Sequence, residues 1–195
     1  MPSQVLHGEF VDLRPLVPED AEQTFRWRYA QRARFLTAGA PSIQAQADWI
    51  ASRPPSEYNF IIELKTGLPV GMLSLVGIDL LNRHGEPGRF LIGEEDAVHG
   101  LPVAAEAMKL LYGLAFDQLG LVRISGIVAA NNHLMIKWQK YMGMIEEGRL
   151  RNHLCQEGRF HDAIYLGLLV DEYRRTALPR LNSLIVMARI KQTSQ

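Results

Sequence analysis

The tightest constraint on this chain is a strand–turn–helix passage near its middle. Residues 89–93 read as a strand that runs into the acidic trio Glu94, Glu95 and Asp96. Residues 97–101 form a short turn, and Pro102 opens a long amphipathic segment. Proline suits a first helical position, where its missing N–H would lack a partner in any case. Val103, Ala107, Leu110, Leu111 and Leu114 then recur at helical spacing, and Gly120 is the natural stop. A strand that delivers the chain to a free helix N-terminus is a general device for holding an anion, because unpaired N–H groups and the helix dipole point the same way. The passage also reads as an ordinary corner between strand and helix, and taken alone it does not choose.

The flanking segments follow from periodicity and turn chemistry. Residues 9–13 alternate as a first strand. Pro18, Glu19 and Asp20 start a helix that runs to about Gln31, and Gly39-Ala40-Pro41 breaks the chain after it. Ser42 caps a second helix through Ala51. Residues 58–64 and 70–78 pair as a hairpin, and a looser turn over 82–88 leads into the central strand. Residues 122–130 form a buried strand. Asn131 or Asn132 caps a helix over 133–142 that Gly143 ends, and strands at 144–154 and 160–169 meet across Gln156-Glu-Gly158. The order predicts an α/β fold of mixed strand direction and argues against a doubly wound dinucleotide fold, which needs regular βαβ alternation. Residues 1–175 make one domain. Residues 176–195 are a tail whose apolar run at 184–188 serves as an edge strand, packs on the body, or forms an interface with a second copy in a homodimer.

Composition removes several function classes. A length of 195 residues with 47% apolar content supports one substantial core. Twenty-one basic residues balance 21 acidic ones, which argues against nucleic acid as the partner, since non-specific binding rests on excess positive charge. No apolar run approaches the roughly 18 residues of a membrane span, so no membrane association is expected. The first residues lack the pattern of a signal peptide. Cys155 stands alone, which excludes an internal disulfide and fits a reducing, cytoplasmic setting. His84, His99, His133, His153 and His161 lack metal-ligand spacing, so no metal is expected.

A set of phrases recurs in a fixed order: Leu13-Arg-Pro-Leu16 before Pro18-Glu-Asp20, Phe25-Arg-Trp-Arg28, Gly100 to Ala107 ending in Glu106-Ala107, Leu121-Val-Arg-Ile124, Asn132 ahead of Gly143, and Glu147-Gly148 before Gly158-Arg-Phe-His-Asp162. In this the chain resembles the GNAT superfamily of N-acetyltransferases, and within it the branch of Rim-type ribosomal-protein, spermidine and aminosugar acetyltransferases. The resemblance covers roughly residues 7–173. It implies a mostly antiparallel central sheet in which the strand ending near Gly93 splays from the strand beginning at Val122. The pantetheine arm of acetyl-CoA, the co-substrate, would lie in that wedge. A backbone N–H near Ile92 or Gly93 would polarise the thioester carbonyl. The family's pyrophosphate motif, Arg/Gln-x-x-Gly-x-Gly/Ala, falls on His99-Gly-Leu-Pro-Val-Ala104. There His99 stands for Arg or Gln, and Pro102 stands for a glycine and has no N–H to give. Amides of Leu101, Val103, Ala104 and Ala105, with His99, Gly100 and Asn132, would then hold the cofactor. The residues offered by some members as an acid for the leaving thiolate are replaced by Met135 and Gln139.

An amine must lose a proton before it attacks, so a base or a water chain is needed. Glu94 and Glu95, at the end of the splayed strand, are the candidates, and strand alternation lets at most one reach the cleft. Arg26, Arg28 and Arg32 lie on the first helix either as a solvated face or as a reader of an anionic acceptor. Trp27 and Arg28 are the residues expected to line the acceptor pocket, although an aromatic on a helix is more often core. The expected activity is transfer of acetyl from acetyl-CoA to a primary amine (small amine, aminosugar or protein N-terminus) in a ternary complex. The alternative is a non-catalytic module of the same fold that binds acyl-CoA or a protein.

Overall fold

The computed structural model describes residues 4–37, 39–156 and 158–193. The residues form a mixed α/β structure around one eight-stranded sheet, in the order β1-β2-β3-β4-β5-β6-β8-β7. The strands are β1 (Leu6–His7), β2 (Val11–Pro15), β3 (Tyr58–Leu64), β4 (Pro69–Asp79), β5 (His84–Ile92), β6 (Arg123–Ala129), β7 (Ile145–Gln156) and β8 (Arg159–Leu169). Every neighbouring pair is antiparallel except β5–β6. The helices are α1 (Ala21–Tyr29), α2 (Ile43–Ala51), α3 (Val103–Gly113), α4 (His133–Tyr141), the single turn α5 (Val170–Glu172) and α6 (Leu178–Thr193). None of the described helices is long and apolar enough to cross a membrane.

The sheet is covered on both faces, which is why the centre of β3, Phe60-Ile61-Ile62, is apolar without alternation. Phe60 and Ile62 join the larger core with Leu111 of α3 and Leu181 of α6. Ile61, between them, joins a smaller core with Trp27 of α1, Ile50 of α2, Met72 and Leu91. Alternate side chains of one strand thus seal two layers.

Several boundaries differ from expectation for identifiable reasons. The first strand is two short strands, β1 and β2, because residues 9–11 bend around a carboxylate from α3. Glu106 is 4% exposed and accepts the backbone N–H groups of Glu9, Phe10 and Val11 at 2.7, 2.6 and 2.8 Å. Helix α1 stops at Tyr29, where Ala30 turns extended, and residues 31–35 form a separate 3-10 turn. Strand β5 starts at His84, earlier than its Gly- and Pro-rich sequence suggests. Pro102 is the cap of α3, and Val103 is its first helical residue. The expected α3 stop at Gly120 is reached through a wider π turn at Leu114–Gln118. The turn expected at Gln156-Glu-Gly158 includes residue 157, which lies outside the described residues.

The tail is neither an edge strand nor an extended segment. It is the helix α6, which packs on the body through Leu181, Ile185 and Ala188. Arg189 of α6 reaches Glu9 at 2.7 Å, beside the strand pair that Glu106 organises.

Candidate active site

Strands β5 and β6 pair only at His84 with Arg123 and at Gly85 with Ile124. Beyond that point β5 stays with β4 as far as Ile92, and β6 stays with β8 as far as Ala129. The two strands part and leave a wedge inside the sheet. The sequence of β5 accounts for the parting. Its register against β4 shifts twice, Arg89 is held at φ 54°, and Pro87 has no N–H for a ladder. Gly93 donates its N–H to Val70 at 2.8 Å, on the β4 side. Strand alternation therefore turns the N–H of Ile92, one residue earlier, toward the wedge.

A groove of about 440 Å³ runs beside the wedge, lined by Phe90, Leu91 and Ile92 of β5, Ala104 of α3, and Met135 and Trp138 of α4. Through Ile92 and Ala104 it joins a second recess of about 560 Å³, bounded by His99, Gly100, Leu101 and Val103. The two adjoin at these residues, which brings the N-terminus of α3 next to the groove beside the parted strands. The first bond of α3 runs from the N–H of Glu106 to Pro102 at 2.9 Å, which leaves the N–H groups of Val103, Ala104 and Ala105 without intrahelical partners. The N–H of Leu101 is not among the free donors, because Val98 accepts it at 3.0 Å. Gly100 has φ 78°, a left-handed conformation that suits glycine and lets the turn fold back under the helix end. Asn132 accepts the N–H of Met135 at 3.2 Å, so it caps α4 while facing the groove. Trp138 lines the groove, and its buried indole N–H has no partner among the described residues.

The other predicted residues divide. Trp27 is core. Its indole ring lies against Gly93 so closely that a Cβ there would meet ring atoms at 2.3 Å. It lines neither the groove nor the recess. Trp27 and Arg26 donate to Glu94 at 2.8 and 2.7 Å, and these bonds, Trp27 first, hold the Glu94 carboxyl below its usual range. A carboxylate so engaged is a weak proton acceptor. Glu95 is ion-paired with Arg32 and lies in the recess at the start of α3. Arg28 lines a separate pocket of about 280 Å³ with Arg89, Trp49 and Met72, on the α1–α2 side.

The residue that sequence reasoning passes over is Glu86. It is the first residue of β5 after the last pair with β6, and its Cγ would lie 3.6 Å from a Cβ on Gly126 across the wedge. The residue as a whole is exposed, yet protein crowds its carboxyl, and burial pushes its pKa up while Arg89 pulls the other way. It makes no hydrogen bond or ion pair among the described residues. Its setting between Gly85 and Pro87 reads as turn, which hides it. Ser125 and Tyr165, 2.9 Å apart, place two hydroxyl groups on the adjoining strands.

A family model described as an acetyltransferase (GNAT) domain matches residues 11–145. The Bacillus subtilis (strain 168) protein named "Putative ribosomal N-acetyltransferase YdaF" is 27% identical over 176 residues, 85% of this chain and 94% of that protein. The crystal structure of a GCN5-related N-acetyltransferase from Brucella melitensis superposes with a TM-score of 0.78 at 22% identity, covering 94% of this chain and 86% of that one. An acetyltransferase structure from T. thermophilus gives 0.76 at 25% identity, covering 92% and 96%. The match spans the parted strands, the free helix end and the groove between them, and by it the chain belongs to the GNAT acetyltransferase family.

Proposed function

We propose that this protein transfers the acetyl group of acetyl-CoA to a primary amine by direct attack in a ternary complex. The observation that carries the reading is the pair of adjoining hollows, one at the free N–H groups of α3 and one beside the wedge between β5 and β6. Their dimensions and chemistry fit the co-substrate. Three amides and a helix dipole meet the pyrophosphate, and an apolar passage takes the pantetheine arm. The outward N–H of Ile92 is a donor for a carbonyl oxygen.

The amine nitrogen attacks the thioester carbonyl carbon. Negative charge develops on the carbonyl oxygen, where the N–H of Ile92 stabilises it. Collapse breaks the carbon–sulfur bond and releases CoA thiolate, which takes a proton from water. Met135 and Gln139 supply no acid on α4. Glu86 accepts the proton that the amine loses, directly or through one water. Glu94 acts through structure, holding Trp27 and α1 against the end of β5, and Glu95 tethers Arg32 beside the α3 turn.

The acceptor is a small amine, an aminosugar or a protein N-terminus, and the name of the Bacillus subtilis relative favours a protein. Titration of the purified protein with acetyl-CoA by calorimetry, followed by a panel of peptides and polyamines with detection of free thiol, tests the reading. Micromolar binding and thiol release that depends on an amine are expected. Binding without thiol release would favour a non-catalytic acyl-CoA module, and no binding at millimolar ligand would remove both readings.

A further inference from the structure

We infer that the acceptor carries a carboxylate close to its reactive amine, and that Arg28 reads it. This rests on the transferase reading and narrows its acceptor. The pocket of about 280 Å³ on the α1–α2 side is lined by two guanidinium groups, those of Arg28 and Arg89. Arg89 donates to Glu57 at 2.9 Å and to Asn59 at 2.7 Å. Arg53 also lies 3.7 Å from Glu57 and stacks with Arg89 on Trp49. One carboxylate therefore serves two arginines, and among the described residues Arg28 meets none. Its partners are the carbonyl and hydroxyl of Thr37, both uncharged. Burial and the like charge of Arg89 both act against its ionised form. A partly buried guanidinium without a counter-ion is a costly arrangement that a ligand anion would relieve.

The pocket is also placed to serve the reaction. Arg89 lines it, while Phe90 and Leu91, the next residues of β5, line the groove proposed for pantetheine. Glu86, on the same strand, lies within the field of Arg89. Arg89 thus stands between a carboxylate at the wedge and a guanidinium without a counter-ion in the pocket, which suits an acceptor of mixed charge. The volume takes one acidic side chain or a small amino acid and is below the usual size of a whole ligand site. The wall is built, not incidental. A Cβ on Gly39 would lie 3.3 Å from the Arg28 Cβ and from the Tyr29 ring, and Tyr29 donates to Ala40 at 2.8 Å, so the chain at residues 39–40 is held against the pocket.

The test uses reaction products, so it does not depend on turnover. Two acetylated dipeptide amides, identical except for aspartate or asparagine at the second position, are titrated into the CoA-loaded protein. Acetylated aspartic acid alone forms a third arm that separates a small-molecule acceptor from a peptide one. The aspartate form should bind roughly tenfold tighter than the asparagine form, the scale of one charge-assisted hydrogen bond. The ratio should fall toward one in Arg28→Gln and recover in part in Arg28→Lys. Equal affinity for the two dipeptides in the wild type, or a ratio unchanged by Arg28→Gln, would overturn the inference. Absence of thiol release with every amine would sink the transferase reading and leave this ratio measurable.

Discussion

At the scale of single residues, three glutamates show how surroundings assign different work to one side chain. Glu106 is enclosed and fully occupied by three backbone donors, so it fastens α3 to the first strands. Glu94 is occupied by Trp27 and Arg26 and sits below its ordinary range. Glu86 makes no hydrogen bond or ion pair among the described residues, and burial pushes it up against the pull of Arg89. A raised carboxyl pKa means that the folded state disfavours the ionised form. The stability tied to this group is present below the unfolded-state pKa and is lost as pH rises through the folded one. Glu86→Gln should therefore raise the melting temperature at pH 7, and the gain should vanish in acid. The same substitution should lower kcat by about a hundredfold and erase an acid limb lying above the usual carboxylate range, since only the ionised group accepts a proton. A pH profile of kcat beside thermal melts checks both. If turnover persists with its acid limb intact, Glu86 is not the base.

At the scale of elements, the proposed function makes the start of α3 the part that sets affinity for the phosphates. Pro102 fits its cap geometry at φ −83° but donates nothing. Pro102→Gly should tighten acetyl-CoA binding severalfold by adding one amide, and should cost about 0.4–1 kcal/mol of stability because the unfolded chain gains freedom. Calorimetry and denaturant melts on one preparation separate the two effects. Elements with strong local chemistry are legible in the sequence. Ser42 caps α2 by accepting from Ala45 at 3.1 Å, Asn132 caps α4, and β3 spans Tyr58–Leu64 around its apolar centre. The free helix end beside the strand corner is legible for the same reason. The functions of Trp27 and Leu101 are not, because each depends on a partner far away or on a turn bond that no pattern encodes. Helix α6 escapes sequence reading because its buried positions Leu181, Ile185 and Ala188 are spaced helically, but the apolar run at 184–188 looks like a strand. Strand β5 looks shorter in sequence than it is because Gly85, Pro87 and Gly88 carry turn signals, and the irregularity they cause is what opens the wedge.

At the scale of the whole molecule, the sheet has a seam. Strands β1–β5 and β6–β8 meet through two residue pairs, and the helices bridge the rest. Under the proposed function acetyl-CoA fills this seam, so its binding should slow amide hydrogen exchange on both walls, at residues 86–92 and 125–129, beyond any general rise in melting temperature. Protection confined to one wall would place the ligand elsewhere. The seam also bears on how far such a chain can change over time. A slot whose polar contacts come from main-chain groups imposes little on the identity of the side chains around it. Departures such as His99, Pro102 and Met135 then cost the architecture little, and selection on the remaining positions can shift toward whatever meets the second substrate. Divergence in this chain should be sharpest around Arg28, Trp49 and Arg89 and mildest in the spacing of β5, the turn and α3.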